Sequence, residues 1–247
     1  MRKILCLSGM AAAAILGMNR PAEASMIMTL NDVTSAVSKT CDNSTSAGVT
    51  ACGANGFVTT LNSQLIAYLG SVGNFSVTTL SSVDNVPGNA TKGTIDASDT
   101  QVVNNGGGSG TFTIDVLAVD YTLPGGASSP MLLNGSASLT SGSGNGTIQT
   151  QAWADPADGN ARTVATAPCS MSVSAAASCV EGGISWTRAG NYSLEFLQTF
   201  SMNAAASVNT TANVTATSVP EPASLMLLGS GLVVVARKLR KRTSAKQ

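Results

Sequence analysis

The chain has 247 residues, a formal net charge of zero, and only 11% charged and 4% aromatic residues. It contains no histidine, which excludes Ser-His-Asp and Cys-His catalysis and any site that needs an imidazole ligand. Between Ser25 and Val219, however, four basic residues stand against eleven acidic ones, a net charge of −7 that argues against nucleic-acid binding and favours solubility outside the cell.

The first 24 residues predict a secretory signal peptide. A positively charged start at residues 2–3 is followed by an apolar run over residues 4–18, and residues 22–24 form a small-x-small cleavage site. We therefore expect signal peptidase to cut between Ala24 and Ser25, which makes Ser25 the first residue of the exported body.

The exported body, residues 25–218, is rich in Ser, Thr, Asn, Gly and Ala, a composition that disfavours long helices. Its length fits one domain with a sizeable core. Alternating apolar and polar residues, broken by Gly, Asn and Ser turns, predict an all-β fold, an antiparallel β-sandwich. The predicted strands are Met26–Val37, Val72–Leu80, Thr111–Leu123, Met131–Thr140, Gly146–Trp153, Ile184–Arg188, Tyr192–Phe200 and Ser207–Thr217.

The segments between these strands have weaker patterns. Residues 40–55 are predicted to be a polar loop, and residues 155–160 another. Three leucines spaced by four between residues 61 and 69 permit a short helix, although a strand from Phe57 onward fits as well. Residues 81–110 predict a long polar region with several turns.

Four cysteines remain after removal of the signal peptide, and they form two close pairs. An even cysteine count in an exported protein favours disulfides, and local pairing of Cys41 with Cys52 and of Cys169 with Cys179 is the simplest of three connectivities. A zinc site is the alternative, but the chain lacks both C-x2-C spacing and histidine. We therefore expect no metal and no cofactor.

Asp115 and Glu195 are the candidates for carboxylate chemistry, because a pair of carboxylates can hydrolyse glycosides. Both lie in the middle of predicted strands, on the faces opposite the apolar stripes, so the pattern favours solvent exposure for both. Asp155 and Asp158 in DPADGN could help to hold calcium, but their spacing departs from Asp-x-Asx-x-Asx-Gly and favours a polar turn. No catalytic residue is predicted.

Trp153 and Trp186 could stack on sugar rings. Aromatic residues are few in this chain, and both tryptophans lie on or beside predicted strands. Core packing is therefore the favoured prediction for both indole rings.

The tail from residue 218 onward has three parts in a fixed order. Pro220, Glu221 and Pro222 come first and predict an extended peptide next to a helix start. The uncharged, mostly apolar run of residues 223–236 would span about 21 Å as a helix, which is short of the roughly 30 Å hydrocarbon core. A basic cluster follows and predicts a cytoplasmic end: Arg237, Lys238, Arg240, Lys241 and Arg242.

The run VPEPASLMLLGSGL, followed by this basic cluster, resembles the PEP-CTERM sorting domain of exported proteins in Gram-negative bacteria. The resemblance covers residues 219–242. It implies that Pro220, Glu221 and Pro222 are recognised by an exosortase, a membrane cysteine transpeptidase that removes the tail and passes the body to the surface. It also implies a short transmembrane helix that holds the chain transiently, with the basic cluster as stop-transfer signal and residues 243–247 in the cytoplasm.

These features predict a non-enzymatic protein exported across the inner membrane and sorted to the cell surface or extracellular matrix. Signal peptidase and an exosortase are the expected processing partners, and extracellular polysaccharide is the expected contact of the body. Two alternatives remain open. One is a secreted hydrolase that uses Asp115 or Glu195, and the other is a β-sandwich protein held permanently in the membrane by its tail.

Overall fold

The computed structural model describes residues 25–61, 64–84, 91–124 and 128–219. Within these ranges two antiparallel sheets of seven strands pack around one hydrophobic core, which confirms the predicted β-sandwich. The predicted signal peptide and the apolar segment of the tail lie outside the described residues. In the described part of the chain, no helix has the length and apolar character needed to cross a bilayer.

Fourteen strands and one helix occupy the described ranges. In chain order they are β1 (Ser25–Asp32), β2 (Val37–Asp42), α1 (Ser46–Ala54), β3 (Phe57–Val58), β4 (Leu65–Val72), β5 (Phe75–Asp84), β6 (Lys92–Asn104), β7 (Gly110–Tyr121), β8 (Pro130–Ser143), β9 (Gly146–Asp155), β10 (Val164–Ala165), β11 (Cys169–Ser172), β12 (Ala177–Thr187), β13 (Tyr192–Met202) and β14 (Ser207–Ser218).

The strand order differs between the two sheets. The first sheet runs β10-β9-β13-β7-β1-β2, with β11 also paired to β9, and the second runs β12-β8-β14-β6-β5-β4-β3. The last strand, β14, is therefore a central strand with β8 on one side and β6 on the other.

The core lies between the sheets because alternate side chains of each strand point to the same face. The predicted apolar face of β7 is fully buried: Phe112, Ile114, Val116 and Ala118. The predicted apolar face of β13 is also fully buried: Tyr192, Leu194, Phe196 and Phe200. The rings of Tyr121 and Tyr192 stack with their centroids 5.2 Å apart, so the two strands contribute one continuous apolar layer.

The polar loop predicted for residues 40–55 instead contains the end of β2 and the helix α1. Thr45 is the N-cap of α1, and its Oγ1 accepts a hydrogen bond from the backbone N–H of Gly48 at 3.0 Å. Threonine is a favoured N-cap residue, so a local helix signal was present in the sequence. The disulfide between Cys41 and Cys52 fastens α1 to β2, with the two Cα atoms 4.6 Å apart.

The long polar region predicted for residues 81–110 is wrong, because β5 continues to Asp84 and β6 fills most of the remainder. β6 buries Ile95, Ala97 and Val102, but its register with β14 shifts between Ala97 and Thr100. A bulged strand does not keep one period-two pattern along its length. This shift, together with buried threonine, concealed the strand in the sequence.

Several strand boundaries also differ from the prediction. The predicted strand Met26–Val37 ends at Asp32, because Asp32 accepts hydrogen bonds from the backbone N–H groups of Thr34 (2.9 Å) and Ser35 (3.1 Å) and so closes a turn before β2 begins at Val37. Val72 ends β4, and Gly73 makes the next turn with φ of +56°. Of the three leucines that permitted a helix, Leu65 and Leu69 lie in strand β4.

The second disulfide joins the two sheets. Cys169 lies in β11 beside β9 of the first sheet, and Cys179 lies in β12 at the edge of the second sheet. Their Cα atoms are 6.3 Å apart. The structure therefore contains the two local pairings that the cysteine spacing favours.

Candidate functional site

Asp115 and Glu195 lie close together on the outer face of the first sheet. β13 and β7 are antiparallel neighbours whose register pairs Leu197 with Asp115 and Glu195 with Leu117. Residues two positions apart in a strand point to the same face, so the two carboxylates occupy diagonal positions on adjacent strands. The sheet thus brings together two acidic residues that are distant in the sequence.

The loop of residues 156–163, which we call the Arg162 loop, folds over this carboxylate pair. The Nη2 atom of Arg162 donates to Asp115 Oδ2 at 2.7 Å, and its Nε atom donates to Glu195 Oε1 at 2.9 Å. Nη2 also contacts the same Glu195 oxygen. The guanidinium carbon lies 4.5 Å from the centroid of the Trp153 ring, so one cation contacts both carboxylates and an aromatic face.

The predicted solvent exposure of the two carboxylates is wrong for Glu195, which is 6% exposed. The Asp115 side chain keeps 30% of its accessible surface. Strand alternation correctly places both residues on the outer face, but it carries no information about a loop that covers that face. Arg162 is one of four basic residues in the body, and this scarcity is the only sequence feature that pointed to it.

The two tryptophans are both buried, in different places. Trp153 is the cross-strand neighbour of Glu195 on the outer face and lies beneath Arg162, so the prediction of core packing is wrong for this ring. Trp186 belongs to the hydrophobic core and meets Tyr192 edge-on, with centroids 5.4 Å apart. Neither indole is exposed enough to stack on a sugar ring.

The surroundings of Asp115 in this cluster raise its pKa. Burial raises the pKa of Asp115 to about 7, the adjacent Glu195 carboxylate adds to the rise, and Arg162 opposes it. The hydrogen bond to Glu195 and the charges of both carboxylates in turn raise the pKa of Arg162 despite its partial burial. Within the described residues, Asp115 Oδ1 is buried without a hydrogen-bond partner.

This geometry fits an ion cluster that holds a loop better than it fits a hydrolytic pair. The carboxyl groups of glycosidases are about 5–5.5 Å apart in retaining enzymes and about 6.5–9.5 Å apart in inverting ones. Asp115 and Glu195 both bind the same nitrogen of Arg162. The guanidinium therefore occupies the position between the two carboxylates that a sugar ring carbon would need.

Asp155 shapes the Arg162 loop from within. Its carboxylate accepts hydrogen bonds from three backbone N–H groups, those of Ala157 (2.9 Å), Gly159 (3.1 Å) and Ala161 (3.2 Å). Asp158 accepts one from the backbone N–H of Asp120 at 2.7 Å. The segment is therefore the predicted polar turn. Within the described ranges, no group of three or more candidate side chains is placed to hold a metal ion.

The outer face of the second sheet carries an open groove of about 550 Å³ that crosses β12, β8, β14 and β6. The polar side chains that line it are short: Asp96, Ser98, Ser136, Ser138, Ser178, Thr211 and Asn213. Asn213 Nδ2 donates a hydrogen bond to Asp96 Oδ1 across β14 and β6. The groove falls within the size range of ligand sites, and its hydroxyl, amide and carboxylate groups suit a polar ligand.

The other predicted site residues lie at or beyond the ends of the described chain. Ser25 is the first residue of β1 and pairs with Val119, whereas Ala24 lies outside the described residues. The sorting residues at 220–222 and the basic cluster at 237–242 also lie outside them. β14 reaches this tail without a spacer, because the backbone N–H of Val219 still donates to the carbonyl oxygen of Pro130 at 3.0 Å.

The sequence matches the family model of the PEP-CTERM protein-sorting motif over residues 218–241. The match confirms the predicted motif, and the motif indicates export and exosortase sorting to the cell surface or extracellular space of a Gram-negative bacterium. No curated protein matches the sequence.

Several solved structures overlap with part of the body. TmCBM61, solved in complex with β-1,4-galactotriose, has a TM-score of 0.28 and 9% identity, covering 55% of this chain and 85% of its own. The enzymatically active domain of tailspike protein 4 from bacteriophage CBA120 has a TM-score of 0.24 and 11% identity, covering 59% and 19%. A CBM4 structure has a TM-score of 0.21 and 8% identity, covering 56% and 78%. Likenesses with TM-scores this low assign no ligand to the chain.

Proposed function

We propose that this protein is a non-enzymatic component of the cell surface or extracellular matrix, which an exosortase releases from its tail and whose β-sandwich associates with polysaccharide. The observation that carries the proposal is the PEP-CTERM motif at residues 218–241, directly after the last strand of a folded body. A motif for sorting is useful only if the body functions after the tail has gone.

The experiment that tests the sorting step is an intact-mass measurement of the protein collected from the surface or medium of the producing bacterium. We expect a chain that starts at Ser25 and lacks the apolar segment of residues 223–236. A strain without its exosortase is the control, and there the membrane fraction should keep the full tail. Residues retained after Pro222 in the mature protein would leave a permanently anchored membrane protein as the better description.

The Asp115–Glu195 pair supports a body without hydrolytic activity, because both carboxylates are occupied by the same nitrogen of Arg162. The rival function is a secreted, carboxylate-dependent hydrolase. The discriminating experiment measures release of reducing sugar from polysaccharides by the wild type and by Asp115→Asn and Glu195→Gln. We expect no turnover by any of the three proteins. Turnover by the wild type that either substitution abolishes would establish the rival.

The groove of the second sheet supports association with a glycan. Its charged lining residue is acidic, and the four basic residues of the body are absent from the lining, so an uncharged polymer fits better than an anionic one. The test is electrophoresis of the mature protein through gels with and without a neutral polysaccharide. Retardation that disappears in Ser136→Trp, which fills the groove, is the expected result. Gln149→Trp, on the exposed outer face of the first sheet, is the matched control.

A further inference from the structure

Both ends of the described body lie at the same end of the sandwich. In the first sheet, β1 begins at Ser25 beside Val119, close to the end of β7. In the second sheet, β14 ends at Ser218 beside Met131, close to the start of β8. Residues 122–129 connect the end of β7 to the start of β8. These strand ends in the two sheets therefore lie at one end of the sandwich, which we call the tail end. Both membrane-directed segments of the precursor attach there.

β14 is held on both sides almost to the motif. Thr217 pairs with Leu132 of β8 and with Lys92 of β6, and the backbone N–H of Val219 still bonds to the carbonyl oxygen of Pro130. Proline has no backbone N–H, so Pro220 cannot continue the ladder. The described backbone bonding therefore extends to Val219, the residue immediately before the first proline of the motif.

A transpeptidase needs its substrate backbone extended and accessible on both sides of the scissile bond. The enzyme's cysteine thiolate must attack the carbonyl carbon of that bond, so that a thioester forms with the body while the tail leaves as an amine that takes up a proton. Backbone groups already paired with β8 and β6 are unavailable to the enzyme. A cleft that closes around Pro220 would also overlap the tail end of the sandwich.

Resting on the proposed exosortase processing, we propose that the tail is removed from a conformation in which residues 217–219 have separated from β8 and β6. These three residues are only half-buried, whereas Ala216 is fully buried in the core. Opening as far as Thr217 breaks backbone pairing without exposing a core side chain, and Ala216 limits it to this short segment. The folded body therefore sets the rate at which its own tail is released.

The test lengthens the connection and leaves the motif unchanged. Eight Gly and Ser residues inserted between Thr217 and Ser218 keep residues 218–241 intact. The same insert in the β8–β9 turn at residues 144–145, at the opposite end of the sandwich, is the matched control. In pulse-chase experiments in the producing bacterium we expect tail removal at least about tenfold faster with the first insert, because backbone pairing no longer has to break. The control should match the wild type.

Each other outcome has a defined meaning. Tail removal at the wild-type rate with the first insert would overturn the opening step. Slower tail removal would also overturn it, and would show that the enzyme recognises the tail end of the sandwich itself. A four-residue insert should give an intermediate or equal acceleration, and its failure to accelerate would overturn the opening step independently of any folding defect in the longer variant. A tail retained by all of these proteins would instead overturn exosortase processing.

Discussion

Asp115 and Glu195, on adjacent strands of the first sheet, bind the same guanidinium nitrogen of Arg162. The carboxylates belong to the sheet and the cation belongs to the Arg162 loop, so the cluster attaches that loop to the outer face. Trp153 completes the contact from below the guanidinium.

Replacing Arg162 with alanine should lower the free energy of unfolding. Glu195 would stay buried beside Asp115 without a counter-charge, and Trp153 would lose its cover. Breaking a fully buried pair costs about 3–5 kcal/mol, but the Arg162 side chain is 36% exposed and exposure weakens ion pairs, so we expect about 1–3 kcal/mol. Urea unfolding measures the change, and tryptophan emission should shift to longer wavelength. The unfolding free energy of Arg162→Lys should lie between those of the wild type and Arg162→Ala. An unchanged unfolding free energy in Arg162→Ala would show that the cluster does not hold the loop.

The raised pKa of Asp115 predicts how stability changes with pH. Its ordinary value is 3.8 and its value in the fold is about 7. Across this window the folded protein keeps a proton that the unfolded chain has lost, so this contribution to the free energy of unfolding is fully present below about pH 4. It falls as the pH rises and is lost above about pH 7.

Asp115→Asn should therefore flatten the dependence of the urea midpoint on pH between 4 and 7. Burial also raises the pKa of Asp158, to about 6, with the neighbouring charges of Asp120 and Asp155 adding to the rise. Asp158 contributes a slope of the same sign, so the single variant should be shallower than the wild type, and the variant that also carries Asp158→Asn shallower still. A wild-type slope in Asp115→Asn would mean that Asp115 does not hold the proton.

Loss of the second disulfide should destabilise the sandwich by about 2–3 kcal/mol, the cost associated with reopening a loop of this length. The disulfide links β11 of the first sheet to β12 at the edge of the second sheet. Without it, amide hydrogen exchange should accelerate in β11 and in the part of β12 around Cys179. The Cys169→Ser/Cys179→Ser variant tests this. The Cys41→Ser/Cys52→Ser variant is the control, in which faster exchange should be confined to α1 and β2. Uniform acceleration in both variants would contradict the assignment.

The sequence predicted those strands whose apolar residues follow the two-residue period of a half-buried strand. β7 and β13 could be predicted because buried apolar residues recur at alternate positions along most of each strand, with Gln198 as the polar exception on the inner face of β13. β6 could not, because its bulge shifts the alternation and places Thr100 in the core. The ion cluster could not be predicted either. Strand periodicity places Asp115 and Glu195 on one face, but only the fold of a separate loop brings Arg162 onto them.

Gln198 provides a test of the core itself. It is fully buried between the sheets, and its Nε2 lies 3.5 Å from the Oγ1 atoms of both Thr150 and Thr210. Within the described residues its Oε1 has no hydrogen-bond partner. A buried acceptor without a partner costs about 1–3 kcal/mol, whereas two long hydrogen bonds contribute little. Leucine has a similar volume and removes the unpaired oxygen.

We therefore expect Gln198→Leu to be at least as stable as the wild type, with a gain of up to about 1 kcal/mol in urea unfolding. Gln198→Ala is the matched control. It also removes the unpaired oxygen, but it leaves a cavity between the sheets that should cost about 2–4 kcal/mol. We expect the free energy of unfolding to decrease in the order leucine variant, wild type, alanine variant. Both variants remove the unpaired oxygen, so the difference between them reports packing alone. A leucine variant that is clearly less stable than the wild type would show that the hydrogen bonds to Thr150 and Thr210 outweigh the unpaired Oε1.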